Sequence, residues 1–127
     1  MRAATQTKLF IWVGSSKKDL MTIPLVLRRF FGHALDFAQR GGCHHAAKSL
    51  KGFGGAGVLE LIGNDSGETY RAVYTVKFKE AVFVLHCFHK KSKSGIATPK
   101  EHIDIICARL KVVEALAREL RDGKTQD

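Results

Sequence analysis

Three strand-length segments follow one another, Val58 to Ile62, Thr69 to Phe78 and Ala81 to His89, separated only by Gly63-Asn64-Asp65-Ser66-Gly67 and Lys79-Glu80. Connections this short join antiparallel neighbours and leave no room for crossover helices, so the chain must build a meander. The middle segment alternates, with Tyr70, Ala72, Tyr74, Val76 and Phe78 set against Thr69, Arg71, Val73, Thr75 and Lys77, which gives it one core face. The third segment is apolar on both faces and reads as the central strand.

Helices are expected on both sides of this meander in sequence. Lys8 to Val13 forms a first strand, broken by Gly14-Ser15-Ser16. After Pro24, which suits a first helical turn, Leu27, Phe31, Ala34 and Ala38 recur at helical spacing until Gly41-Gly42, so one or two helices fill Lys17 to Arg40. Thr98-Pro99-Lys100-Glu101 has the parts of a capping box, and Ile103, Ile106, Cys107, Leu110, Val113, Ala117 and Leu120 follow on one helical stripe. The 127 residues therefore fit a single α+β domain spanning 1–127. It has a twisted, mainly antiparallel sheet of about four strands, two N-terminal helices and a long C-terminal helix, with 8–122 as the ordered core and 1–7 and 123–127 as flexible tails.

Charge narrows the partners. Twenty-one Lys and Arg against 12 Asp and Glu give a formal +9, which attracts nucleic acid, an acidic protein or an anionic membrane surface. No apolar run approaches the roughly 20 residues that span a bilayer, and Met1 to Gln6 lacks the apolar core of a signal peptide, so a cytoplasmic protein with no membrane partner is expected. Cys43, Cys87 and Cys107 are odd in number and widely spaced, which speaks against a disulfide framework.

Two motifs are set aside. Gly52 to Gly57 formally reads G-x-G-x-x-G, but a dinucleotide site needs a strand before the glycines and a helix after them, and here a strand follows. Cys43-His44-His45 and His86-Cys87-Phe88-His89 lack the paired spacing of closed zinc sites, and strand alternation sends Cys87 to the face opposite His86. Neither a metal nor a small-molecule cofactor is expected.

Register then decides which side chains share a face. If Asn64 to Gly67 is a four-residue loop, Glu60 lies directly across from Arg71; if Lys79-Glu80 is a two-residue turn, Arg71 faces Phe88 and Val73 faces His86. Glu60, Arg71, His86 and Phe88 then form a polar face. Leu59, Leu61, Tyr70, Ala72, Tyr74, Val76, Phe83, Leu85 and Cys87 form the other, where the helices should pack. The basic run His89-Lys90-Lys91-Ser92-Lys93-Ser94-Gly95 would reach over the polar face from the end of the central strand.

This grouping suits single-stranded RNA, whose phosphates need cations and whose unstacked bases need aromatic partners such as Phe88 or Tyr70. Metal-free cleavage requires a base for the 2′-OH proton, an acid for the leaving 5′-oxygen, and positive charge on the phosphorane between them. Arg71 is the charge stabiliser, held by Glu60, and His86, Lys90 and Lys91 are the proton-transfer candidates. A quieter reading stays open: Glu60 and Arg71 as a surface salt bridge contributing about 0–1 kcal/mol, the lysines as a solvated loop, and His86 as a structural histidine.

Trp12-Val13-Gly14-Ser15-Ser16-Lys17-Lys18-Asp19-Leu20, Lys51-Gly52 to Val58-Leu59-Glu60, Tyr70-Arg71-Ala72-Val73-Tyr74, His86-Cys87-Phe88-His89-Lys90-Lys91-Ser92 and Thr98-Pro99 occur in this order. Together they resemble the phage-derived, HigB-like branch of the RelE/ParE toxin superfamily, from about Lys8 to Arg118. The resemblance implies a RelE-like sheet with helices packed on one side. It also implies a type II toxin encoded beside an antitoxin that often carries a helix-turn-helix domain, and metal-free cleavage of mRNA on the ribosome. By the same resemblance Arg71 matches the arginine of the family's Tyr-Arg strand, and Lys90 or Lys91 falls in its basic segment. Glu60, Lys93, Phe88, Lys51 and Tyr70 are then the RNA-binding candidates. The chain lacks the tyrosine near the C-terminus that serves some RelE members. Two alternatives share the scaffold: a ParE-like inhibitor that binds DNA gyrase, and an inactive binding module of a repressor complex.

Overall fold

A computed structural model describes residues 7–54, 57–90 and 98–123. Most of the two expected tails, 1–6 and 124–127, and the basic run 91–97 lie outside the described residues. The elements run β1 (Leu9–Trp12), α1 (Ser16–Leu20), α2 (Leu25–Gln39), β2 (Lys48–Ser49), β3 (Val58–Asp65), β4 (Glu68–Thr75), β5 (Ala81–Lys90) and α3 (Lys100–Gly123). The class is α+β, as the alternation of β4 and the stripe of α3 require.

The sheet has five strands in the order β1-β5-β4-β3-β2, and it is mixed. The expectation of about four antiparallel strands is corrected at both edges. β1 pairs with β5 in parallel, Leu9 opposite Ala81 through Trp12 opposite Val84, because α1 and α2 carry the chain back across the sheet between them. β2 is two exposed polar residues paired with Glu60 and Leu59 of β3, too short to leave any periodic signal.

The hairpin turn differs as well. Asp65 pairs with Glu68, so the loop is the two residues Ser66 and Gly67, both at positive φ (53° and 79°), the conformation whose twist suits a tight hairpin. Glu60 consequently sits opposite Val73 and Ile62 opposite Arg71. The slip from the expected register is two residues, which preserves the face of every side chain. Between β4 and β5 the pairs Arg71 with Phe88 and Val73 with His86 are as expected. Beyond them the register shifts, Tyr74 meeting Val84, so Leu85 is an extra residue of a β-bulge.

That bulge turns Phe83 and Leu85 to the face of Val73 and His86, and both faces of the sheet become apolar. On one face, Leu27, Phe31, Ala34 and Leu35 of α2 pack with Leu61, Ala72, Tyr74, Val84 and Cys87. On the other, Ile106, Val113 and Ala117 of α3 pack with Val58, Val73, Phe83, Leu85 and Phe88. Helices therefore cover both sides, not one, and the face of Glu60, Arg71, His86 and Phe88 lies largely beneath α3. The physical reason is the stripe of α3 itself, which needs an apolar surface, and after the bulge the second face supplies one.

Local signals fix the ends of α2. Pro24 accepts from the amides of Leu27 and Arg28, and Gly41 at φ +88° closes the helix, its amide bonding to Ala38 O at 3.0 Å while Gly42 N bonds to Phe37 O at 2.8 Å, a Schellman arrangement. The helix lies close over β3 at Gly63, where an added Cβ would stand 2.8 Å from Leu27 Cδ2.

Candidate functional site

Where α3 begins, three polar groups meet over the sheet. Glu60 reaches diagonally from β3 to Arg71 on β4, and Arg71 Nη1 donates to Glu60 Oε2 at 2.9 Å and to Thr98 Oγ1 at 3.1 Å. The Thr98 hydroxyl in turn donates to the same carboxylate oxygen at 3.0 Å. Thr98 was expected to cap α3. The helix instead starts at Lys100, with Pro99 O accepting from His102 and Ile103, which leaves the hydroxyl to this triangle.

The triangle is enclosed: Arg71 is 3% exposed and Glu60 7%. Placing the two ions together offsets part of their lost hydration, and the fixed fork of the guanidinium suits the short contact. Lys90 pairs with Thr69 at the end of β5, on the face of Arg71 and Phe88, and is 5% exposed. Burial first and the nearby Arg71 guanidinium second push its ammonium towards the neutral amine, while Glu60 opposes them.

His86 sits deeper under α3. Its Nε2 is 2.8 Å from His102 Nδ1, and Arg109 Nη1 approaches its Nδ1 at 3.4 Å. A cation donating to Nδ1 puts the His86 proton on Nε2, which then donates to His102. Burial, then His102 and Arg109, bring the His86 pKa down to about 4, with Asp19 acting against them. Phe88 lies beside both rings, stacked on His102 at 4.0 Å and on His86 at 4.9 Å, so that the three rings form one cluster.

Glu60, Arg71, Phe88 and Lys90 thus gather at one end of one face, and His86 continues the row inward. Tyr70 does not join them. It points to the opposite face and stacks on His89 at 4.7 Å, with Glu68 against that histidine. Lys91 and Lys93 lie outside the described residues. Lys51 is exposed at the rim of a cavity of about 420 Å³, lined by Lys48, Leu50, Glu60, Ile62, Thr98 and Ile103 among others. This cavity opens directly beside the triangle.

Sequence reasoning missed Thr98, His102, Arg109 and Lys48. His102 falls four residues before Ile106 on the buried stripe of α3, a spacing that signals its inward direction but not its partner. Arg109 donates to Leu85 O at 2.8 Å and to Ser15 Oγ at 3.0 Å, contacts that depend on the bulge. Lys48 lies in the two-residue strand that has no pattern.

Among the described residues no group of three or more His, Cys, Asp or Glu is placed to hold a metal ion, and no helix is long and apolar enough to cross a membrane. No curated protein matches the chain. A family model described as phage derived protein Gp49-like (DUF891) matches residues 18–111, which spans α1 to the middle of α3 and includes every element of the site. The chain therefore belongs to the Gp49-like family of phage-derived proteins, within the RelE/ParE-like toxin–antitoxin clan.

Proposed function

We propose that the protein is the toxin of a toxin–antitoxin pair, of the HigB-like branch, and that it cleaves mRNA on the ribosome by metal-free acid–base chemistry. The observation that carries this reading is the meeting of two cations, Arg71 and Lys90, with one carboxylate, Glu60, at the end of the sheet face where a cavity opens. A phosphorane needs fixed positive charge, and Arg71 is held by two oxygen partners in one orientation. A base for the 2′-OH must be neutral at working pH, and Lys90 is displaced in that direction by burial and by Arg71. In cleavage, the 2′-oxygen loses its proton to that base and bonds to phosphorus as the P–O5′ bond breaks. The leaving 5′-oxygen takes up a proton, for which the basic segment following β5, with Lys91 and Lys93, is a further source. The products are a 2′,3′-cyclic phosphate and a 5′-hydroxyl. His86, buried and pushed to about 4, supports α3 rather than carrying protons at neutral pH. The antitoxin partner, a helix-turn-helix protein in this reading, offsets the +9 charge with an acidic segment laid over this end.

One observation favours a second reading. Arg71 is nearly inaccessible, and a guanidinium already engaged by Glu60 and Thr98 is also what a purely structural ion pair looks like. A binding-only protein, whether a gyrase inhibitor or a module of a repressor complex, would keep the same pair. Induced expression in bacteria separates them. An interferase arrests growth with transcripts cut within coding regions, and Lys90→Met restores both growth and intact transcripts. Arrest with uncut transcripts, or with lost supercoiling, would remove the interferase reading.

A further inference from the structure

The cavity beside Glu60 is not needed to hold Arg71, and its walls are unlike a plain phosphate groove. At about 420 Å³ it falls within the roughly 300–1,000 Å³ of small-molecule sites. Leu50 and Ile62 on the sheet side and Ile103 from α3 give apolar surfaces on two sides, the geometry that receives a flat ring. Lys48 and Lys51 stand exposed at its edge, where they can pair with phosphates on either side of an inserted ring. Glu60 is part of the same lining. Oε2 accepts from Arg71 and Thr98, whereas Oε1 accepts no hydrogen bond among the described residues.

A carboxylate oxygen accepts hydrogen bonds, and Glu60 lies 2.9 Å from the Arg71 guanidinium. We infer that this cavity takes one unstacked RNA base bearing an exocyclic amino group, cytosine, adenine or guanine rather than uracil, whose amine donates to Glu60 Oε1 while Lys48 and Lys51 hold the neighbouring phosphates. Uracil presents carbonyl oxygens where the amine would be, and these meet the carboxylate as like to like. The cavity is therefore a base-selecting subsite beside the cleavage centre, and this inference rests on the RNA-cutting reading above. An acidic side chain is disfavoured inside the cavity, because its carboxylate would face Glu60, so an acidic antitoxin segment would meet Lys48 and Lys51 at the rim instead.

The test uses the full-length protein and 2′-O-methyl tetranucleotides of A, C or U, which lack the attacking hydroxyl, with binding read by fluorescence polarisation. Expected are A and C tetramers bound about tenfold more tightly than U, in line with the discrimination of one good base-edge contact. Glu60→Gln should bring U level with C, because an amide also donates. Ile62→Trp, which fills the cavity from a partly exposed position directly across the strand pair from Arg71, should weaken all three, with the melting temperature reporting whether the Glu60–Arg71 pair survives the substitution. Equal binding of the three tetramers by the parent protein would overturn the inference, as would full-strength RNA binding by Ile62→Trp coupled to loss of a protein partner. Base-selective binding without transcript cleavage would sink the interferase reading and keep the subsite; cleavage indifferent to base would do the reverse.

Discussion

Burying Arg71 and Glu60 beneath the start of α3 strips both groups of water, and each is tolerable only because the other is there. Removing the guanidinium alone strands a carboxylate, so Arg71→Met should cost roughly 3 kcal/mol in unfolding free energy. Adding Glu60→Gln to that variant should recover part of the loss, since the stranded charge is gone. Chemical denaturation of the two single variants and the double variant measures this coupling; strictly additive losses would show that the pair contributes nothing beyond its separate side chains. The same enclosure explains why Lys90 is the better residue for a functional test. It sits at the end of β5, as buried as Arg71 and Glu60, but it is not one of the three groups of the triangle, so the Arg71–Glu60 hydrogen bond does not run through it.

At the scale of elements, α3 is held over the sheet by apolar contacts of Ile106, Val113 and Ala117 and by the polar row His102, His86 and Arg109. The charged and titratable groups around that row are Arg109 and Glu101 on α3 and Asp19 on α1. His86 has a folded pKa of about 4 against an ordinary value near 6.5. The unfolded chain therefore binds the extra proton between those values, and stability complete above about 6.5 falls as pH drops towards 4. The loss should be roughly 3 kcal/mol, read as a falling melting temperature that His86→Phe flattens. A profile unchanged in His86→Phe would contradict this. The elements also mark what was legible beforehand. β4, β5 and α3 announce themselves through period-two and helical spacing, and the pairings of Arg71 with Phe88 and Val73 with His86 follow from them. The tight Ser66-Gly67 turn displaced the register by two residues, which is harmless to face assignment, so Glu60 still meets Arg71. The bulge at Leu85 is another matter. Nothing in the pattern of Ala81 to His89 announces it, yet it makes the second face apolar and so brings α3 over residues that alternation alone would leave in solvent. Thr98, His102 and Arg109 become site neighbours only through that placement.

For the whole molecule, a net charge of +9 and a cavity lined in part by Glu60 beside buried Arg71 suit the proposed reading, in which the surface attracts a polyanion generally and the cavity sorts its bases locally. In the proposed cleavage, Lys90 and Arg71 act on the phosphodiester. The most direct test is purified protein with programmed ribosomes and a defined mRNA, the ends of the fragments being identified. Expected are a 5′-hydroxyl and a 2′,3′-cyclic phosphate, a rate that rises with pH and levels off below the ordinary lysine value near 10.4, and a loss of about 10²–10⁴-fold in Lys90→Met. Uncut mRNA, 5′-phosphate ends, or an unchanged rate in Lys90→Met would contradict it.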